Sequence, residues 1–305
     1  MKVIRFVIPG LGPRLGLWRE GGEVIDLTAV DGEIFGSFLD LIWAAKAAGE
    51  EPSALVERCV GQKSAPVYDF GELDGRGGRT GAQMISPIDP PEVWAAGVTY
   101  ERSRQARTRE AREKDIYDRV YEAERPELFL KATAGRVVGP NEPIGLRSDS
   151  RWMVPEPELC LVLDEAANIV GFTIGNDVSS RDIEGENPLY LPQAKIFRNS
   201  CSLGPAIRLA ETVDDPYDIV ISLRVFREGS LVFEGETSTG RLKRSLDTLV
   251  EYLKRDNLVF PGTVLMTGTG IVPPDEFTLR HGDLVEIEAR GLGVLRNPVV
   301  QLDGR

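Results

Sequence analysis

The feature that most constrains this chain is a strand pattern with two acidic residues at its start. Glu156 and Glu158 directly precede an apolar run over residues 159–163. Side chains at i and i+2 of a strand lie on one face, so both carboxylates are predicted to point the same way. Asp177 supplies a third carboxylate and Lys195 an amine. This pattern favours a site for a hard divalent cation; the alternative is that the glutamates form the polar face of a half-exposed strand.

Residues 1–85 are predicted to form a small α/β domain. Strand patterns occupy residues 2–7, 14–17 and 23–27, and helix patterns occupy residues 35–48 and 53–59. The chain of 305 residues is long enough for a second domain. Glycine-rich residues 71–81 indicate the linker between the two.

Residues 86–305 are predicted to form a larger domain in which strands dominate. Strand patterns occupy residues 93–98, 128–130, 159–163, 218–226, 231–236, 264–271, 283–289 and 294–302, and an amphipathic helix occupies residues 246–253. These strands do not alternate regularly with helices, so we expect mixed, mostly antiparallel sheets rather than a doubly wound fold. The expected fold class is α+β.

Residues 100–125 form a highly charged segment in which arginines alternate with glutamates. Helix propensity and the alternating charge predict a helix. A solvent-exposed helix is the simpler interpretation. The alternative is a lid or rim whose arginines attract an acidic substrate.

The charge of the chain argues against nucleic acid as its main partner. Lys and Arg total 36 and Asp and Glu total 48, which gives a net charge of -12. Binding to nucleic-acid phosphates requires a basic surface. A site for an anionic substrate must therefore be made positive locally, by a metal ion or by clustered basic residues.

The histidine and cysteine content narrows the chemistry further. His281 is the single histidine, so serine triads, cysteine–histidine dyads and histidine-rich zinc sites are disfavoured. Cys59, Cys160 and Cys201 lack metal-binding or disulfide spacing, so a reducing cytoplasm is expected. We expect neither a signal peptide nor a membrane span, since no apolar run approaches about 18 residues.

Short motifs along the chain form an ordered series. In order they are Phe129-Leu-Lys131, Val138-Gly-Pro140, Pro157-Glu-Leu159, Gly175-Asn-Asp-Val-Ser-Ser-Arg-Asp182, Leu203-Gly-Pro205, Phe260-Pro-Gly262, Thr267-Gly-Thr269, His281-Gly-Asp283 and Gly291-Leu-Gly-Val-Leu-Arg-Asn297. With this series, residues 93–300 resemble the fumarylacetoacetate hydrolase family. The order and spacing make the resemblance specific. It implies that the larger domain has the family's fumarylacetoacetase-like fold, a rolled β-structure around a metal site.

The resemblance also assigns the acidic residues. It implies that Glu156, Glu158 and Asp177 are the family's metal-binding Glu-x-Glu and Asp. Mg²⁺ is the expected ion, with Mn²⁺ or Ca²⁺ as alternatives. This assignment replaces the interpretation of the two glutamates as a polar strand face.

Residues 97–103 depart from the family's hydrolase pattern. Family hydrolases that cleave a carbon–carbon bond carry Gly-x-Asn-Tyr-x-x-His, whose histidine helps to activate water. The corresponding stretch here is Gly97-Val-Thr-Tyr-Glu-Arg-Ser103, so Ser103 stands where that histidine would be. A serine cannot take a proton at neutral pH without a base of its own. Hydrolysis by the usual route is therefore disfavoured.

Three longer motifs are similar to one branch of the family. They are Arg125-Pro-Glu-Leu-Phe-Leu-Lys131, Val154-Pro-Glu-Pro-Glu158 and Ile183-Glu-Gly-Glu-Asn-Pro-Leu-Tyr-Leu-Pro-Gln-Ala-Lys195. The branch is the 2-keto-3-deoxy-D-arabinonate dehydratases of pentose catabolism. It implies a lyase that forms 2,5-dioxopentanoate (α-ketoglutarate semialdehyde) and water through a metal-stabilised enolate. The alternatives are an acylpyruvate or fumarylacetoacetate-type hydrolase, an oxaloacetate decarboxylase, and a non-catalytic binding protein.

Lys195 and Glu127 are the catalytic residues that this branch implies, with interchangeable roles as acid and base. Lys195 acts as a base only if its pKa is depressed; otherwise it supplies positive charge or pairs with a ligand carboxylate. The alternative for Glu127 is an ion pair with Arg125 or Lys131.

Arg181 and Thr269 are the predicted substrate-binding residues. The alternatives are that Arg181 only supports the metal-binding loop and that Thr269 only satisfies the backbone of its own turn. The predicted partner is a small anionic 2-keto acid, and neither nucleic acid nor a membrane is expected. The family habit favours a homodimer or homotetramer.

Overall fold

The fold comes from a computed structural model, which describes residues 1–75, 81–110 and 115–304. Residues 76–80 of the predicted linker and residues 111–114 of the predicted charged helix lie outside the described residues. Across the described ranges, no helix combines the length and apolar character needed to cross a bilayer.

Strands dominate the described residues. The strands are β1 (Lys2–Ile8), β2 (Gly12–Trp18), β3 (Glu23–Asp26), β4 (Val67–Asp69), β5 (Gln83–Ile85), β6 (Val93–Gly97), β7 (Glu127–Ala132), β8 (Val137–Val138), β9 (Ile144–Leu146), β10 (Met153–Val154), β11 (Pro157–Leu163), β12 (Ile169–Asp177), β13 (Ser179–Ser180), β14 (Cys201–Leu209), β15 (Val220–Arg227), β16 (Ser230–Ser238), β17 (Val264–Met266), β18 (Leu284–Ala289) and β19 (Gly293–Gln301). The helices are α1 (Leu27–Val30), α2 (Phe38–Ala48), α3 (Pro52–Gln62), α4 (Phe70–Leu73), α5 (Glu101–Glu110), α6 (Asp115–Glu122), α7 (Arg181–Glu186), α8 (Leu191–Lys195) and α9 (Leu246–Lys254).

One large sheet contains strands from both halves of the chain. Its order is β4-β3-β2-β1-β14-β12-β11-β17-β6-β7, with β5 paired to β1 and β8 paired to β14. The antiparallel pair β1–β14 joins residues 1–85 to residues 86–305 within this sheet. The division into two domains at residue 85 stays a prediction.

A second sheet lies beside the large one. Its five strands follow the order β16-β15-β18-β19-β9, and it shares a hydrophobic core with β11 and β12 of the large sheet. Helices α2 and α3 contribute to a separate core, which also contains residues of β1, β2, β11 and β14. The large sheet is thus buried on both faces at its centre.

Strand β11 shows why its sequence is a continuous apolar run. Leu159, Leu161 and Leu163 pack in the core shared with the second sheet, whereas Cys160 and Val162 pack in the core that contains α2 and α3. Alternate residues of a strand face opposite sides, so a strand buried on both sides needs apolar residues at every position. This strand therefore anchors the acidic residues at its start.

The predicted α+β fold with mostly antiparallel sheets is confirmed. Among the strand pairs, β14–β8, β17–β6 and β19–β9 are parallel and the others are antiparallel.

The predicted helix at 35–48 begins later, at Phe38, because the Ser37 side chain accepts a hydrogen bond from the Asp40 N–H as an N-cap. It ends at Gly49, whose φ of 68° is the left-handed conformation typical of helix C-termini. The charged segment forms α5 and α6 on either side of the residues not described.

Gly175 provides a test of how tightly the sheet packs beneath the acidic residues. A Cβ atom there would lie 2.4 Å from the Cys160 Sγ atom and 2.6 Å from the Met266 Cε atom. We expect Gly175→Ala to lower the free energy of unfolding by about 1–3 kcal/mol, measured by urea denaturation. Gly61→Ala is the matched control: a Cβ atom at Gly61 in α3 would meet no described atom within 4 Å, and the change should stabilise by about 0.5–1 kcal/mol. Equal unfolding midpoints for the two variants would contradict this packing.

Candidate active site

A small buried cavity lies where β11 begins and β12 ends. Its volume is about 30 Å³. The residues that line it include every predicted site residue: Glu127, Glu156, Glu158, Asp177, Arg181, Lys195 and Thr269. The fold therefore brings together side chains that are separated by more than a hundred residues in the sequence.

Three carboxylates converge in this cavity. One oxygen each of Glu156, Glu158 and Asp177 lies within 4.8 Å of the others, and all three residues are buried. The antiparallel register of β11 and β12 places Glu158 opposite Gly175, and the Asp177 N–H donates to the Glu156 carbonyl oxygen at 2.9 Å. The shared face predicted from the i, i+2 spacing of the glutamates is consistent with this geometry. Like charges opposite one another on neighbouring strands repel, so the arrangement requires nearby positive charge.

Lys195 supplies part of that charge. Its Nζ atom donates to Glu156 Oε2 at 2.7 Å, to Asp177 Oδ2 at 2.9 Å and to Ser179 Oγ at 2.7 Å. Burial lowers the pKa of Lys195, but the carboxylates of Asp177 and Glu156 outweigh burial and raise this pKa well above its ordinary value. Lys195 was predicted to act as a base only if its pKa were depressed, and its pKa is raised instead. All three N–H donors of the ammonium group are occupied.

Lys131 supplies a second cation, which was not predicted from the sequence to belong to the site. It is fully buried and lies 2.7 Å from Asp177 Oδ1, and it also donates to the carbonyl oxygens of Val178 and Lys195. Burial opposes ionisation of Asp177, but the two lysines outweigh burial and hold the pKa of Asp177 below its usual range. Because Lys131 binds Asp177, the predicted alternative of an ion pair between Lys131 and Glu127 is wrong.

Arg181 connects the carboxylates to helix α5. Its guanidinium lies 2.5 Å from Glu156 Oε1 and 3.0 Å from Glu110 Oε2. Glu110 Oε2 is also 2.7 Å from Arg107, which in turn lies 3.0 Å from Glu184 Oε2. The prediction that the charged segment is a solvated helix is therefore wrong for Arg107, which is buried and lines the cavity. Arg181 therefore supports the carboxylate of Glu156, while its contact with substrate stays a prediction.

Glu158 has less positive charge around it than the other two acids. Its Oε2 atom accepts from the Gly268 N–H at 2.5 Å. Burial, reinforced by the charges of Asp177 and Glu156, raises the pKa of Glu158 well above its ordinary value. Burial and the neighbouring charges thus favour the protonated form of this carboxyl group, and a cation between the three acids would favour its ionised form.

The donor set and the charge balance both fit a divalent cation. The ion pairs and the cavity define a buried charge cluster whose acids are Glu110, Glu127, Glu156, Glu158, Asp177 and Glu184 and whose cations are Arg107, Lys131, Arg181 and Lys195. When all are ionised, these six acids and four cations leave two net negative charges. Carboxylate oxygens are the ligands that Mg²⁺ and Ca²⁺ prefer. One divalent cation would therefore complete the cluster.

Glu127 reaches the cavity from the first position of β7. It faces Gly97 of β6, where a Cβ atom would lie 2.1 Å from Glu127 Oε2, so only glycine leaves room for this side chain. Burial and the nearby charge of Glu184 raise the pKa of Glu127 to about 7, against the opposing effect of Lys195. A group that titrates near neutrality can both take and give a proton at physiological pH. The Arg125 side chain lies over the Tyr252 ring instead of pairing with Glu127.

Ser103, Thr269 and His281 were singled out in the sequence, and each has a local role in the structure. The Ser103 hydroxyl donates to the Tyr100 carbonyl oxygen at 2.8 Å, in the first turn of α5. The Thr269 hydroxyl lines the cavity and hydrogen-bonds the backbone of Ile271, as in the alternative given for it. His281 is exposed, and its Nδ1 atom accepts from the Gln301 N–H. Binding of substrate by Thr269 stays a prediction.

Four residues of the cluster were missed: Lys131, Arg107, Glu110 and Glu184. A signal for Lys131 was present, since Glu127 and Lys131 stand at i and i+4 of one strand and share a face. Glu184 likewise follows Arg181 at i+3, on one side of α7. The approach of α5 to α7 has no such local signal. It depends on Gly185, where a Cβ atom would lie 3.0 Å from the Glu110 carbonyl oxygen.

Comparison with known proteins gives consistent matches. The family model for the fumarylacetoacetate (FAA) hydrolase C-terminal region matches residues 92–300. A probable 2-keto-3-deoxyxylonate dehydratase of Haloferax volcanii is 44% identical over 274 residues, covering 90% of this chain and 91% of that protein. A 2-dehydro-3-deoxy-D-arabinonate dehydratase of Saccharolobus solfataricus is 47% identical over 221 residues, covering 71% of this chain and 74% of that protein.

A solved structure is similar over almost its whole length. It is a 2-keto-3-deoxy-D-arabinonate dehydratase complexed with magnesium and 2,5-dioxopentanoate, with a TM-score of 0.80 and 36% sequence identity over 99% of both chains.

The position of Glu158 predicts the effect of its removal. We expect Glu158→Ala to weaken Mg²⁺ binding by at least about a hundredfold in calorimetric titration, because even changes to groups around a ligand cost about 10–100-fold. Glu234→Ala is the matched control, since Glu234 is an exposed glutamate on β16. Equal Mg²⁺ affinity of the two variants would refute the assignment of Glu158 as a ligand.

Proposed function

Because the chain belongs to the fumarylacetoacetate hydrolase family, we propose that it is a Mg²⁺-dependent hydro-lyase acting on a 2-keto-3-deoxypentonate. The proposed reaction converts 2-keto-3-deoxy-D-arabinonate to 2,5-dioxopentanoate and water. The observation that carries the proposal is the presence in one cavity of three carboxylates for a divalent cation and an acid, Glu127, whose pKa is about 7. The similarity to two dehydratases supports the choice of substrate class.

The proposed ligands of the ion are Glu156, Glu158 and Asp177. When bound, Mg²⁺ would hold the carboxylate and keto oxygens of a 2-keto acid and stabilise negative charge that develops on the keto oxygen. This stabilisation would make the C3 protons more acidic. The task left to the protein is to move protons and to keep bulk water away.

Glu127 is the proposed base for the C3 proton. It faces the cavity from β7, forms no ion pair with another described residue, and has a pKa of about 7. Once protonated, it can return the proton to the C4 hydroxyl as that group leaves as water. Lys195, whose donors are all occupied, provides fixed positive charge beside the reacting end of the substrate.

The remaining steps are proton transfers. Loss of the C4 hydroxyl leaves an unsaturated acid, and the hydrogen on C5 must move to the carbon chain before the C5 hydroxyl can become an aldehyde. Glu184 lines the same cavity as Glu127, and its pKa lies below its usual range: burial opposes its ionisation, but Arg107 outweighs burial. An ionised carboxylate in this position is suited to the second proton abstraction.

A hydrolase is the weaker alternative. The family's hydrolytic route needs a base at the position of Ser103. The hydroxyl of Ser103 is engaged with the backbone of Tyr100 at the start of α5 and has no basic side chain among its hydrogen-bond partners. This geometry supports elimination of water over attack by water.

The location and assembly of the protein belong to the same proposal. Three free, buried cysteines support the cytoplasm as its location. A homodimer or homotetramer is proposed from the habit of the family.

The activity is tested with purified protein, Mg²⁺ and 2-keto-3-deoxy-D-arabinonate. We expect NMR to show one equivalent of 2,5-dioxopentanoate formed per substrate consumed. Turnover should stop when Mg²⁺ is chelated. Oxaloacetate and an acylpyruvate serve as comparison substrates. Turnover of either of these without turnover of the deoxypentonate would overturn the proposal.

Glu127 gives a prediction for the pH dependence. A base whose pKa is about 7 is ionised above that pH, so kcat/KM should rise with pH through about 7 and then level off. Glu127→Gln should lower kcat by about 10²–10⁴ and remove this rising limb. Glu122→Gln, at an exposed position of α6, is the matched control and should keep the native profile. A rising limb that persists in Glu127→Gln would exclude Glu127 as the base.

A further inference from the structure

A second cavity lies next to the one that holds the charge cluster. Its volume is about 200 Å³. Glu127 and Glu184 line both cavities and therefore form the boundary between them. The other described residues that line this outer cavity are Ile116, Tyr117 and Val120 of α6, Pro188, which follows α7, and Leu191, the first residue of α8.

The size of the inner cavity limits what it can hold. A volume of about 30 Å³ accommodates little more than one or two water-sized groups. A 2-keto-3-deoxypentonate is far larger, so the part of the substrate beyond its metal-binding end needs further space. The outer cavity provides that space directly beyond Glu127 and Glu184.

We propose that the outer cavity is the subsite for the distal end of the substrate and that it selects for an apolar terminus. This inference rests on the proposed dehydratase function. The subsite extends the proposed substrates from pentonates to 2-keto-3-deoxy acids whose chain ends in a methyl group, such as 2-keto-3,6-dideoxyhexonates. Acids that end in an additional hydroxymethyl group are selected against.

The chemistry of the walls gives the selectivity. Among the described residues, the polar side chains that line the outer cavity are the carboxylates at its boundary and the hydroxyl of Tyr117, which is buried and whose pKa is raised by burial and by Glu184. These groups lie where the C4 and C5 hydroxyls would pass. The half-buried side chains of Ile116, Val120 and Leu191 offer a terminal hydroxyl no hydrogen-bond partner, and a hydroxyl that gives up water against them without gaining a partner loses about tenfold or more in binding. A terminal methyl on the same walls gains about fourfold.

The reaction of such a substrate balances as it does for a pentonate. The C4 hydroxyl leaves with a proton as water. The carbon-bound and the hydroxyl hydrogen of C5 are both removed as protons, C3 and C4 each receive one proton, and the C5 hydroxyl becomes a ketone. A 2-keto-3,6-dideoxyhexonate therefore gives 2,5-dioxohexanoate without any other reactant.

The test compares kcat/KM for two substrates with the same configuration at C4 and C5. They are a 2-keto-3,6-dideoxyhexonate and the corresponding 2-keto-3-deoxyhexonate, with the pentonate as reference. The native enzyme with Mg²⁺ should prefer the dideoxy acid by about tenfold or more. Val120→Asn places an amide in the apolar wall and should bring the ratio close to one.

Matched variants keep the test decisive. Leu191→Asn alters the opposite wall and should reduce the same ratio, which covers the case in which Val120→Asn does not fold. Val232→Asn, at an exposed position of edge strand β16, should retain the native ratio.

The possible failures are distinguishable. If the native enzyme turns over the pentonate but shows no preference for the dideoxy acid, or turns over neither hexonate, the subsite is wrong and the dehydratase function stands. A ratio that is unchanged in both Val120→Asn and Leu191→Asn also overturns the subsite. If the pentonate is not turned over at all, the proposed function itself fails.

Discussion

The mutual repulsion of three buried carboxylates is the interaction on which the rest of the site depends. Glu156, Glu158 and Asp177 are held within 4.8 Å of one another by strands that pack on both faces. Buried like charges are stable only when cations accompany them. Lys195 and Lys131 meet this need for Asp177, and Arg181 meets it for Glu156. Among the described residues, Glu158 is left with a backbone N–H as its hydrogen-bond donor, and a divalent cation at this position would complete the balance.

The same low-dielectric setting makes the cluster suited to the proposed acid–base chemistry, in a chain whose single histidine is exposed. Glu127 and Glu184 lie in one environment but differ in their partners. Arg107 holds the pKa of Glu184 below its usual range, whereas Glu127 forms no ion pair with another described residue and its pKa moves to about 7. Two carboxyl groups whose pKa values are separated in this way are suited to different proton-transfer steps. In the proposed binding mode, the boundary that they form between the two cavities would place them beside the middle of an extended substrate.

Local patterns in the sequence predicted part of this arrangement. The i, i+2 spacing of Glu156 and Glu158 and the apolar run after them are properties of a single strand, and both were predictable. The ordered motifs extended the prediction to Glu127 and Lys195. The contribution of Arg107 and Glu110 was not predictable in this way, because it depends on how α5 lies against α7, which is a contact between distant parts of the chain. For the same reason the sequence could not decide whether the pKa of Lys195 is raised or lowered. That direction is decided by two carboxylates, one directly before β11 and one at the end of β12.

Proton release on Mg²⁺ binding is the most direct test of this charge balance. Because burial and its neighbours raise the pKa of Glu158, ionisation of this group should accompany metal binding. Calorimetric titration of the metal-free protein at pH 7, in buffers with different enthalpies of ionisation, measures the number of protons exchanged. The account predicts a net release of protons that decreases as the pH is raised. Mg²⁺ binding without any proton release at pH 7, or no Mg²⁺ binding at all, would contradict it.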